Sequence, residues 1–507
     1  MRYLSTRLAI LLSLIAPLQT SSTVSARVPQ VQRRGGAPVA VQQAAQKPAP
    51  AVAASSAPAT QQSQLVSRVL ANGLEVIVLE DHSIPLVSLE LAVKNGSYTE
   101  SPELNGLSHL YEHMFFKANK AVLEDAPYLK TFDQLGILMN ASTREEIVNF
   151  YLHTTSPNLR VAMNYMRDAA RFPLFAEVER LTAEGNRFVQ SQFEQERKAV
   201  LDELDRHESN PYGFLSIEMN NRLFSKYPSR KNPGGNRQTV KAATTDTMRL
   251  IQTRYYVPNN SALIVTGDAK PEEVFKFAQE LYGDWKMGDD PFIKYPMVEH
   301  PPLQKSDGTV IKQPVTNIII NIGWQGPSIG KDNAATYAAD VFSFILQQPD
   351  SRFQRALVDS GLVTGISFSY YTQRNVGPIQ IIAQTTPDKA RAALRAIYKE
   401  VAGFNDASYY TDEQLEAAKG LLEADDLYGR EKLSDYTHTL GFWWASTGLE
   451  YFRGYHSNLR RTSRADINRY VTTYIQGKPH VGLALLSEET QKQAQLTPQD
   501  LIGEGAK

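Results

Sequence analysis

The chain contains no cysteine among its 507 residues. Disulfide frameworks, thiolate nucleophiles and cysteine-based zinc sites are therefore excluded, and any metal must be held by imidazole and carboxylate groups. An excess of charge of one sign is also lacking, because 53 basic and 54 acidic side chains leave a formal net charge of −1. This balance gives no electrostatic reason to expect nucleic acid or an anionic membrane surface as a partner.

No stretch beyond the N-terminus is apolar and long enough to cross a membrane. At the N-terminus, Arg2 and Arg7 accompany a short apolar run at residues 8–18, and Val24-Ser25-Ala26 supplies small residues suited to cleavage. Residues 1–26 are therefore predicted to be a signal peptide, with an uncleaved membrane anchor as the alternative. The mature chain is expected to be exported, to the periplasm, and to hold no stable membrane span.

Residues 27–63 are rich in Ala, Pro and Gln and show no amphipathic period. Such a segment cannot bury enough apolar surface to offset the entropy of ordering, so a disordered linker is predicted there. From about residue 64 the pattern changes to alternating strands and helices. Strands are predicted at residues 74–79, 86–93, 148–153 and 262–267, and helices at 107–116, 159–171, 181–208 and 272–282.

The second half of the chain repeats the order of the first. In each half a tyrosine-rich helix leads to a proline and then to an apolar strand, as in RYYVP before residues 262–267 and TYIQGKP before residues 481–486. A length of 507 residues also favours more than one domain. We therefore predict an α+β fold with two homologous domains at residues 64–290 and 306–500, joined by a proline-rich linker at 291–305.

The first half contains the run GLSHLYEHM at residues 106–114. Residues three and four apart share one helix face, so His109, Glu112 and His113 converge there. Two imidazoles at i and i+4 can reach one tetrahedral zinc ion, and Glu112 is placed to accept a proton from a water molecule activated at that site. The order His-x-x-Glu-His is the inverzincin motif. The alternative interpretation is a solvated helix face that carries two histidines by chance.

A catalytic zinc ion usually has three protein ligands, so a third ligand must come from elsewhere. The charged helix around residues 193–207 offers candidates, and two of its glutamates lie two turns apart on one face. Spacing alone does not choose among Glu194, Glu196, Asp202, Glu203 and His207. The alternative for most of these groups is a charged solvent face.

Four runs together resemble the pitrilysin and insulinase family of zinc metallopeptidases. They are HLYEHMFFK at residues 109–117, LGILMNAST at 135–143, ERKAVLDE at 196–203 and RYYVPNNSALIVTGD at 254–268. Within that family the sequence is most similar to mitochondrial processing peptidase and its two-domain bacterial relatives. The resemblance covers essentially all of residues 65–500, and it implies two homologous domains that each contain a mostly antiparallel sheet covered by helices.

The resemblance also implies a role for each residue of the site. His109 and His113 match the histidine ligands of the family, and Glu203 matches the third zinc ligand. Glu112 matches the catalytic base, while Glu196 matches a residue that supports catalysis without binding metal. The cofactor implied is one zinc ion per chain.

The stretch at residues 138–143 resembles the family's edge strand, to which substrate adds as a further strand, with Asn140 and Ala141 lining the cleft. The interval from His113 to Glu203 is longer than in the family, with insertions near residues 121–130 and 175–192. In the second half, the run AADV at 338–341 replaces the metal motif and Ala424 stands where Glu203 does. One metal site per chain is therefore expected.

The resemblance implies a zinc metalloendopeptidase that hydrolyses peptides or unfolded segments in an enclosed chamber. The alternatives are a non-catalytic scaffold of the same family and another zinc amide hydrolase. Complete enzymes of the family use an arginine and a tyrosine from the second domain, where this chain has Val358 (or Leu357) and Thr364. A paralogous partner subunit that supplies the Arg/Tyr pair is therefore expected, unless Arg355 or Tyr370 substitutes.

Overall fold

A computed structural model of the chain describes residues 65–117, 119–120 and 135–503. The predicted signal peptide at 1–26, the predicted linker at 27–63 and the insertion near 121–130 lie outside the described residues. The described residues belong to one compact unit, Ser63–Lys507. In this part of the chain, no helix combines the length and apolarity that a membrane crossing requires.

Two sheets form the framework, and their central strands are runs of aliphatic and β-branched residues that are buried on both faces. The first sheet has the order β1-β2-β6-β3-β5-β4 and the second the order β7-β11-β8-β10-β9. The strands are β1 Leu65–Val69, β2 Glu75–Glu80, β3 Leu86–Val93, β4 Leu138–Thr143, β5 Val148–Thr155, β6 Ser261–Gly267, β7 Asp307–Lys312, β8 Ile318–Gln325, β9 Gly365–Tyr370, β10 Pro378–Thr385 and β11 Val481–Leu486.

The two sheets share one plan. Strands β2, β6, β3, β5 and β4 of the first correspond in order to β7, β11, β8, β10 and β9 of the second. In both sheets the first of these pairs is parallel and the following pairs are antiparallel. The α+β fold with two homologous halves is confirmed. The boundaries 64–290, 291–305 and 306–500 stay a prediction, and below "first half" and "second half" mean the parts that carry the first and second sheet.

Helices cover both sheets, and most begin at a capping side chain or a proline in the first turn. They are α1 Leu107–Phe115, α2 Leu159–Arg171, α3 Val178–Ala183, α4 Phe188–Ser209, α5 Pro211–Leu223, α6 Arg237–Ala242, α7 Thr245–Tyr255, α8 Pro271–Tyr282, α9 Pro291–Lys294, α10 Asn333–Gln347, α11 Arg352–Gln354, α12 Ala390–Gly403, α13 Asp412–Gly429, α14 Leu433–Ser446, α15 Leu449–Arg461, α16 Arg464–Tyr474, α17 Glu488–Ala494 and α18 Pro498–Leu501.

One helix from each half packs on the sheet of the other half. Helix α14 of the second half buries Leu440 and Trp444 against Ile77 and Ile264 of the first sheet. Helix α5 of the first half buries its apolar side, including Met219, against the outer face of the second sheet. The two halves are therefore joined through apolar cores to which both contribute.

The predicted strands and helices of the first half are present with small shifts at their ends, with one exception. The single helix predicted at residues 181–208 is wrong, because two helices, Val178–Ala183 and Phe188–Ser209, occupy this stretch. Gly185 lies between them with a φ of 82°, a left-handed conformation that ends a right-handed helix. The longer second helix carries every acidic candidate for the third ligand.

Candidate metal centre

Helix α1 is held by contacts at its N-terminus and along one side. The carboxylate of Glu100 is buried and accepts hydrogen bonds from the backbone N–H groups of Gly106, at 2.8 Å, and Ser108, at 2.7 Å. A carboxylate at this end satisfies free N–H donors and complements the helix dipole. On its apolar side Leu110 and Met114 are fully buried in the core of the first half. His109, Glu112 and His113 therefore project from the remaining face.

A glycine pair brings a neighbouring loop against the start of α1. Gly106 and Gly235 have φ values of 100° and 95°, and a Cβ atom added to Gly235 would lie 2.2 Å from the Cα atom of Gly106. Only glycine permits both this conformation and this approach. The carbonyl oxygen of the adjacent Gly234 thereby comes within 3.4 Å of Nδ1 of His109.

Helix α4 brings two glutamates to the histidines of α1. The Oε2 atom of Glu203 lies 3.4 Å from Nε2 of His109 and 3.5 Å from Nε2 of His113. The Oε2 atom of Glu196 lies 3.1 Å from Nδ1 of His113, and its Oε1 atom lies 3.4 Å from Nζ of Lys117. Glu203 therefore faces both histidines on one side, while Glu196 contacts one histidine from behind.

In the neutral form of each histidine, these contacts favour the tautomer that has its proton on Nδ1. A neutral imidazole that donates Nδ1–H to a carbonyl or carboxylate oxygen has its Nε2 lone pair free. His109 has Gly234 as such an acceptor and His113 has Glu196. Both Nε2 atoms are thereby available on the side where Glu203 lies. An acceptor behind each metal-binding histidine is the usual support of a zinc site.

The electrostatics of the cluster favour positive charge. Burial alone lowers the pKa of His113, but hydrogen bonds to Glu196 and Glu203 outweigh it and raise that pKa to about 10. Burial favours the neutral form of Glu203, yet its hydrogen bonds to His109 and His113 hold the pKa of its carboxyl well below the usual range. A divalent cation between these groups would supply the positive charge that a proton otherwise supplies.

The three groups fit a zinc ion. One ligand atom from each of His109, His113 and Glu203 can be chosen so that all three lie within 4.8 Å of one another. Two imidazole nitrogens and one carboxylate oxygen form a donor set found in catalytic zinc sites, which keep a further position open. Among residues 65–117, 119–120 and 135–503 this is the one group of three or more such side chains close enough to hold a metal ion.

The other candidates for the third ligand lie apart from this group. Glu194 pairs with Arg197 on the exposed side of α4 and accepts a hydrogen bond from Gln190. Asp202 and His207 are exposed. The structure thus separates Glu203 and Glu196 from the candidates that spacing left open. The assignment of Glu203 as a ligand stays a prediction.

Glu112 lies beside the metal group and has a hydrogen-bond partner of its own. Its Oε2 atom accepts the Oγ1–H of Thr143 at 2.8 Å. Thr143 ends β4, which among the described strands pairs with β5 and is the edge strand of the first sheet. The predicted edge strand at residues 138–143 is therefore confirmed. Asn140 on this strand is exposed and Ala141 is half-buried; their contact with substrate stays a prediction.

Two parts of this arrangement were not predicted from the sequence, namely the Gly234 carbonyl behind His109 and the Thr143 hydroxyl on Glu112. The run NPGGN at residues 232–236 signals a loop, but its contact with α1 is made across 125 residues of chain. Thr143 is the last residue of LGILMNAST, so the same run that predicted the strand also contained this residue.

The second half has an acidic residue on the helix that corresponds to α1. Asp340 lies on α10, where its Oδ2 atom accepts the O–H of Tyr455 at 2.6 Å. The surrounding aromatic residues include Tyr337 and Tyr451, which stack with ring centroids 5.0 Å apart. Burial raises the pKa of Asp340 to about 7. The side chain is thus placed as a hydrogen-bond acceptor among tyrosines.

Asp340→Asn is expected to stabilise the protein at neutral and alkaline pH but not in acid. The ordinary pKa of 3.8 rises to about 7 on folding, so Asp340 costs nothing below pH 4 and destabilises increasingly as the pH rises to 7. Asparagine keeps an acceptor for Tyr455 without the charge. Urea unfolding at pH 8 is expected to show a gain of the order of 2 kcal/mol, after allowing for residual solvent contact. The exposed Asp359→Asn is the control, and an equal gain at pH 4 would contradict the explanation.

The two alternative sources of the Arg/Tyr pair, Arg355 and Tyr370, lie in other surroundings. Arg355 is exposed and lines a cavity formed wholly by second-half residues between 348 and 417. The O–H of Tyr370 donates to the carbonyl oxygen of Pro327 at 3.1 Å. Val358 packs at the edge of the second core, and Thr364 is exposed beside Gln384. No contact joins any of these four residues to the metal group among the described residues.

Two family descriptions match the sequence. Residues 75–230 match the insulinase family, peptidase family M16. Residues 242–422 match the description peptidase M16 inactive domain. The first match contains the metal group and the second contains α10 with Asp340. The expectation of one metal site per chain, in the first half, stays a prediction.

Similar proteins include zinc peptidases. The zinc protease PqqE of Helicobacter pylori is 24% identical over 420 residues, which are 80% of this chain and 89% of that protein. The crystal structure of a protease from Helicobacter pylori superposes with a TM-score of 0.73 at 21% identity, and covers 83% of this chain and 99% of that one. The periplasmic protease PqqL of Escherichia coli gives a TM-score of 0.66 at 17% identity, over 89% of this chain and 50% of that one.

Proposed function

Because the chain belongs to the insulinase family, peptidase family M16, we propose that it is a zinc-dependent endopeptidase whose metal is held by His109, His113 and Glu203. The observation that carries this proposal is the convergence of these three ligand atoms, with the Glu112 carboxylate next to them. The family relationship supplies the reaction class, hydrolysis of peptide bonds. The named relatives that are zinc proteases support it.

Each residue of the site has a definable task in this reaction. Zinc in this site would supply Lewis acidity toward the scissile carbonyl and favour ionisation of a water molecule. Glu112 accepts the proton of that water and returns it to the leaving amine. Glu196 and the Gly234 carbonyl orient the two imidazoles, so that both Nε2 atoms stay directed at the metal.

The substrate is an extended peptide or an unfolded segment. No described strand pairs with the outer edge of β4, residues 138–143, which lies close to Glu112, and a peptide that pairs there becomes a seventh strand of the sheet. Only an extended chain can form this ladder, so a folded protein is a poor substrate. Asn140 and Ala141, at the centre of the strand, are proposed to contact the peptide.

A paralogous partner subunit is proposed to complete the enzyme. The chain has Val358 and Thr364 where the resemblance places the arginine and tyrosine that hold substrate and stabilise the oxyanion. Arg355 lies in a separate cavity and the hydroxyl of Tyr370 is bonded to Pro327, which argues against either as a substitute. A partner with the Arg/Tyr pair and without the metal motif would supply the missing groups.

The isolated, zinc-loaded chain is therefore expected to cleave unfolded peptides weakly, and addition of the partner to raise kcat/KM by about 100-fold or more. The measurement is cleavage of a quenched fluorescent peptide library, with and without partner, before and after removal of zinc with a chelator. Activity should vanish on chelation and return with zinc. A fully active isolated chain would contradict the requirement for a partner subunit. Inactivity of every zinc-loaded assembly would favour the non-catalytic scaffold. Cleavage of simple amides but not peptides would favour another zinc amide hydrolase.

Export to the periplasm is proposed from the predicted signal peptide, and a periplasmic protease among the structural neighbours is consistent with it. The mature protein from its native source is expected to begin near Arg27. N-terminal sequencing of the fractionated protein measures this directly. An intact Met1 on protein recovered from the cytoplasm would contradict export.

A further inference from the structure

The turn at residues 144–147 connects the edge strand β4 to β5. It directly follows Thr143, the last residue of β4. The backbone N–H of Arg144 donates to the carbonyl oxygen of Ile147 at 2.9 Å, which closes the turn. The O–H of Thr143 donates a hydrogen bond to Oε2 of Glu112 at 2.8 Å. Among the described strands β4 pairs with β5, and within the first half the carbonyl oxygens of Arg144 and Glu145 accept the backbone N–H groups of Ser97, at 3.4 Å, and Tyr98, at 3.0 Å.

A loop of the second half, residues 371–376, holds the turn. Glu146 is 3% exposed, and its two carboxylate oxygens accept the backbone N–H groups of Arg374, at 2.9 Å, and Asn375, at 3.0 Å. The O–H of Tyr371 donates to Oε2 of Glu145 at 3.2 Å. Three hydrogen bonds therefore join the loop to two consecutive residues of the turn.

The loop itself is held in a strained conformation. Val376 has a φ of 56°, in the left-handed region that a β-branched residue rarely adopts. The ammonium group of Lys231, which is 4% exposed, donates to the carbonyl oxygen of Val376 at 2.7 Å and to that of Asn375. The Arg374 guanidinium donates to the carbonyl oxygens of Ala445 and Ser446 at 3.2 Å. Such strain persists only where the surroundings determine the backbone, and it concentrates at functional sites.

Burial of the two charged groups makes the loop hard to displace. Glu146 and Lys231 both belong to the first half, and both use backbone groups of the loop as partners. If the loop left, the carboxylate and the ammonium group would each lose two charge-assisted hydrogen bonds to the loop backbone, which are stronger than neutral ones. The loop, the turn and Thr143 therefore behave as one rigid connection.

We propose that the loop at residues 371–376 is a positioning element for Glu112, acting through the turn at 144–147 and the Thr143 hydroxyl. This inference rests on the proposed function, because it assigns the second half a part in the same reaction. A carboxylate that accepts one fixed hydrogen bond loses rotational freedom, so the Thr143 hydroxyl limits the positions that the Glu112 carboxylate can take. The second half, which has no metal group among its described residues, thereby determines the orientation of Glu112 in the first half.

Thr143→Val is expected to lower kcat about tenfold with KM within about twofold, because one hydrogen bond that orients the base is lost while the peptide edge remains. Zinc content should not change. Thr143→Ser keeps the hydroxyl and should restore most of kcat. A purely structural role of the β-branched side chain would give the opposite order, with valine tolerated and serine impaired.

Glu146→Gln tests the path from the loop. Glutamine can accept one of the two loop N–H groups but not both, so the turn loosens and kcat is expected to fall by a similar factor. If Glu146 acts through Thr143, the double variant Thr143→Val with Glu146→Gln should be no slower than Thr143→Val alone. Tyr371→Phe removes only the contact with Glu145 and gives a milder variant if Glu146→Gln fails to fold.

Thr266→Val is the matched control. It removes hydrogen bonds between the halves, one that joins the hydroxyls of Thr266 and Thr437 at 2.6 Å and one from Thr266 to the carbonyl oxygen of Leu433 at 3.3 Å, and neither contacts the turn. It should leave kcat unchanged. Independently of activity, hydrogen–deuterium exchange of the segment 138–150 should quicken in Glu146→Gln and Tyr371→Phe but not in Thr266→Val.

Two failures are distinguishable. If the wild type cleaves peptides and Thr143→Val is equally fast, or if the two substitutions act additively, the positioning role is overturned and the proposed function stands. If the zinc-loaded wild type cleaves nothing in any assembly, the proposed function fails and the catalytic part of the inference fails with it. If hydrogen–deuterium exchange is unchanged in both Glu146→Gln and Tyr371→Phe, the connection between the loop and the turn is contradicted.

Discussion

Glu112→Gln is expected to keep its zinc and to lose peptide hydrolysis by about 1,000-fold. Glutamine preserves the length of the side chain and can still accept the hydrogen bond of Thr143, but it cannot take a proton from water. Because Glu112 is not among the three groups that converge on the metal position, its loss leaves the donor set intact. The measurement pairs zinc analysis by mass spectrometry with kcat/KM on an unfolded peptide.

Glu103→Gln supplies a control of the same chemistry. Glu103 is exposed and precedes α1 by a few residues, outside the metal group. It should match wild type in both zinc content and rate. A Glu112→Gln variant within a few-fold of wild type would remove Glu112 from the proton-transfer step, and a variant that also lost zinc would assign it a structural place in the site.

Loss of any one of the three converging groups should remove most of the metal. Wild type is expected to hold close to one zinc equivalent per chain, whereas His109→Ala, His113→Ala and Glu203→Gln should each retain only a small fraction after dialysis. Two remaining ligands bind zinc too weakly to survive that treatment. Zinc should also raise the melting temperature of wild type, since a ligand that binds only the folded state stabilises it.

Asp202→Asn is the matched control for Glu203→Gln. The two acidic residues are neighbours on α4, but Asp202 is exposed and lies outside the metal group. Its substitution should leave zinc content unchanged. Full zinc retention in both His109→Ala and Glu203→Gln would overturn the ligand assignment. Retention in Glu203→Gln alone would direct the search for the third ligand to Glu196, which already contacts His113.

Local periodicity accounts for the parts of the site that were predictable from sequence. His109, Glu112 and His113 share a face because the helix repeat places them there, and no distant contact is needed to know it. The edge strand β4 was predicted with the bounds it has, but from the family resemblance and not from periodicity, because its residues belong to the run LGILMNAST. The repeated order of strands and helices likewise predicted two halves of one plan.

The remaining parts depend on contacts between distant residues. Periodicity could not select Glu203 from its helix; only the family resemblance pointed to it, and the crossing of α1 and α4 places it beside both histidines. The bond from Arg374 to Glu146 spans 228 residues, and that from Lys231 to Asn375 spans 144. The break between the two helices was missed because Gly185 and Asn186, which form a turn signal, lie within a long stretch of mostly helix-favouring charged residues.

The exchange of helices α5 and α14 between the halves affects how the protein unfolds and how its proteolytic fragments behave. Each sheet buries an outer face only when the other half is present, so neither half is a self-sufficient folding unit. A protease that nicks residues 291–305 should leave two fragments that stay associated and elute together under native conditions. For the same reason, a gene truncated after the first sheet should yield insoluble protein, and calorimetry of the intact chain should show a single transition, not one for each sheet.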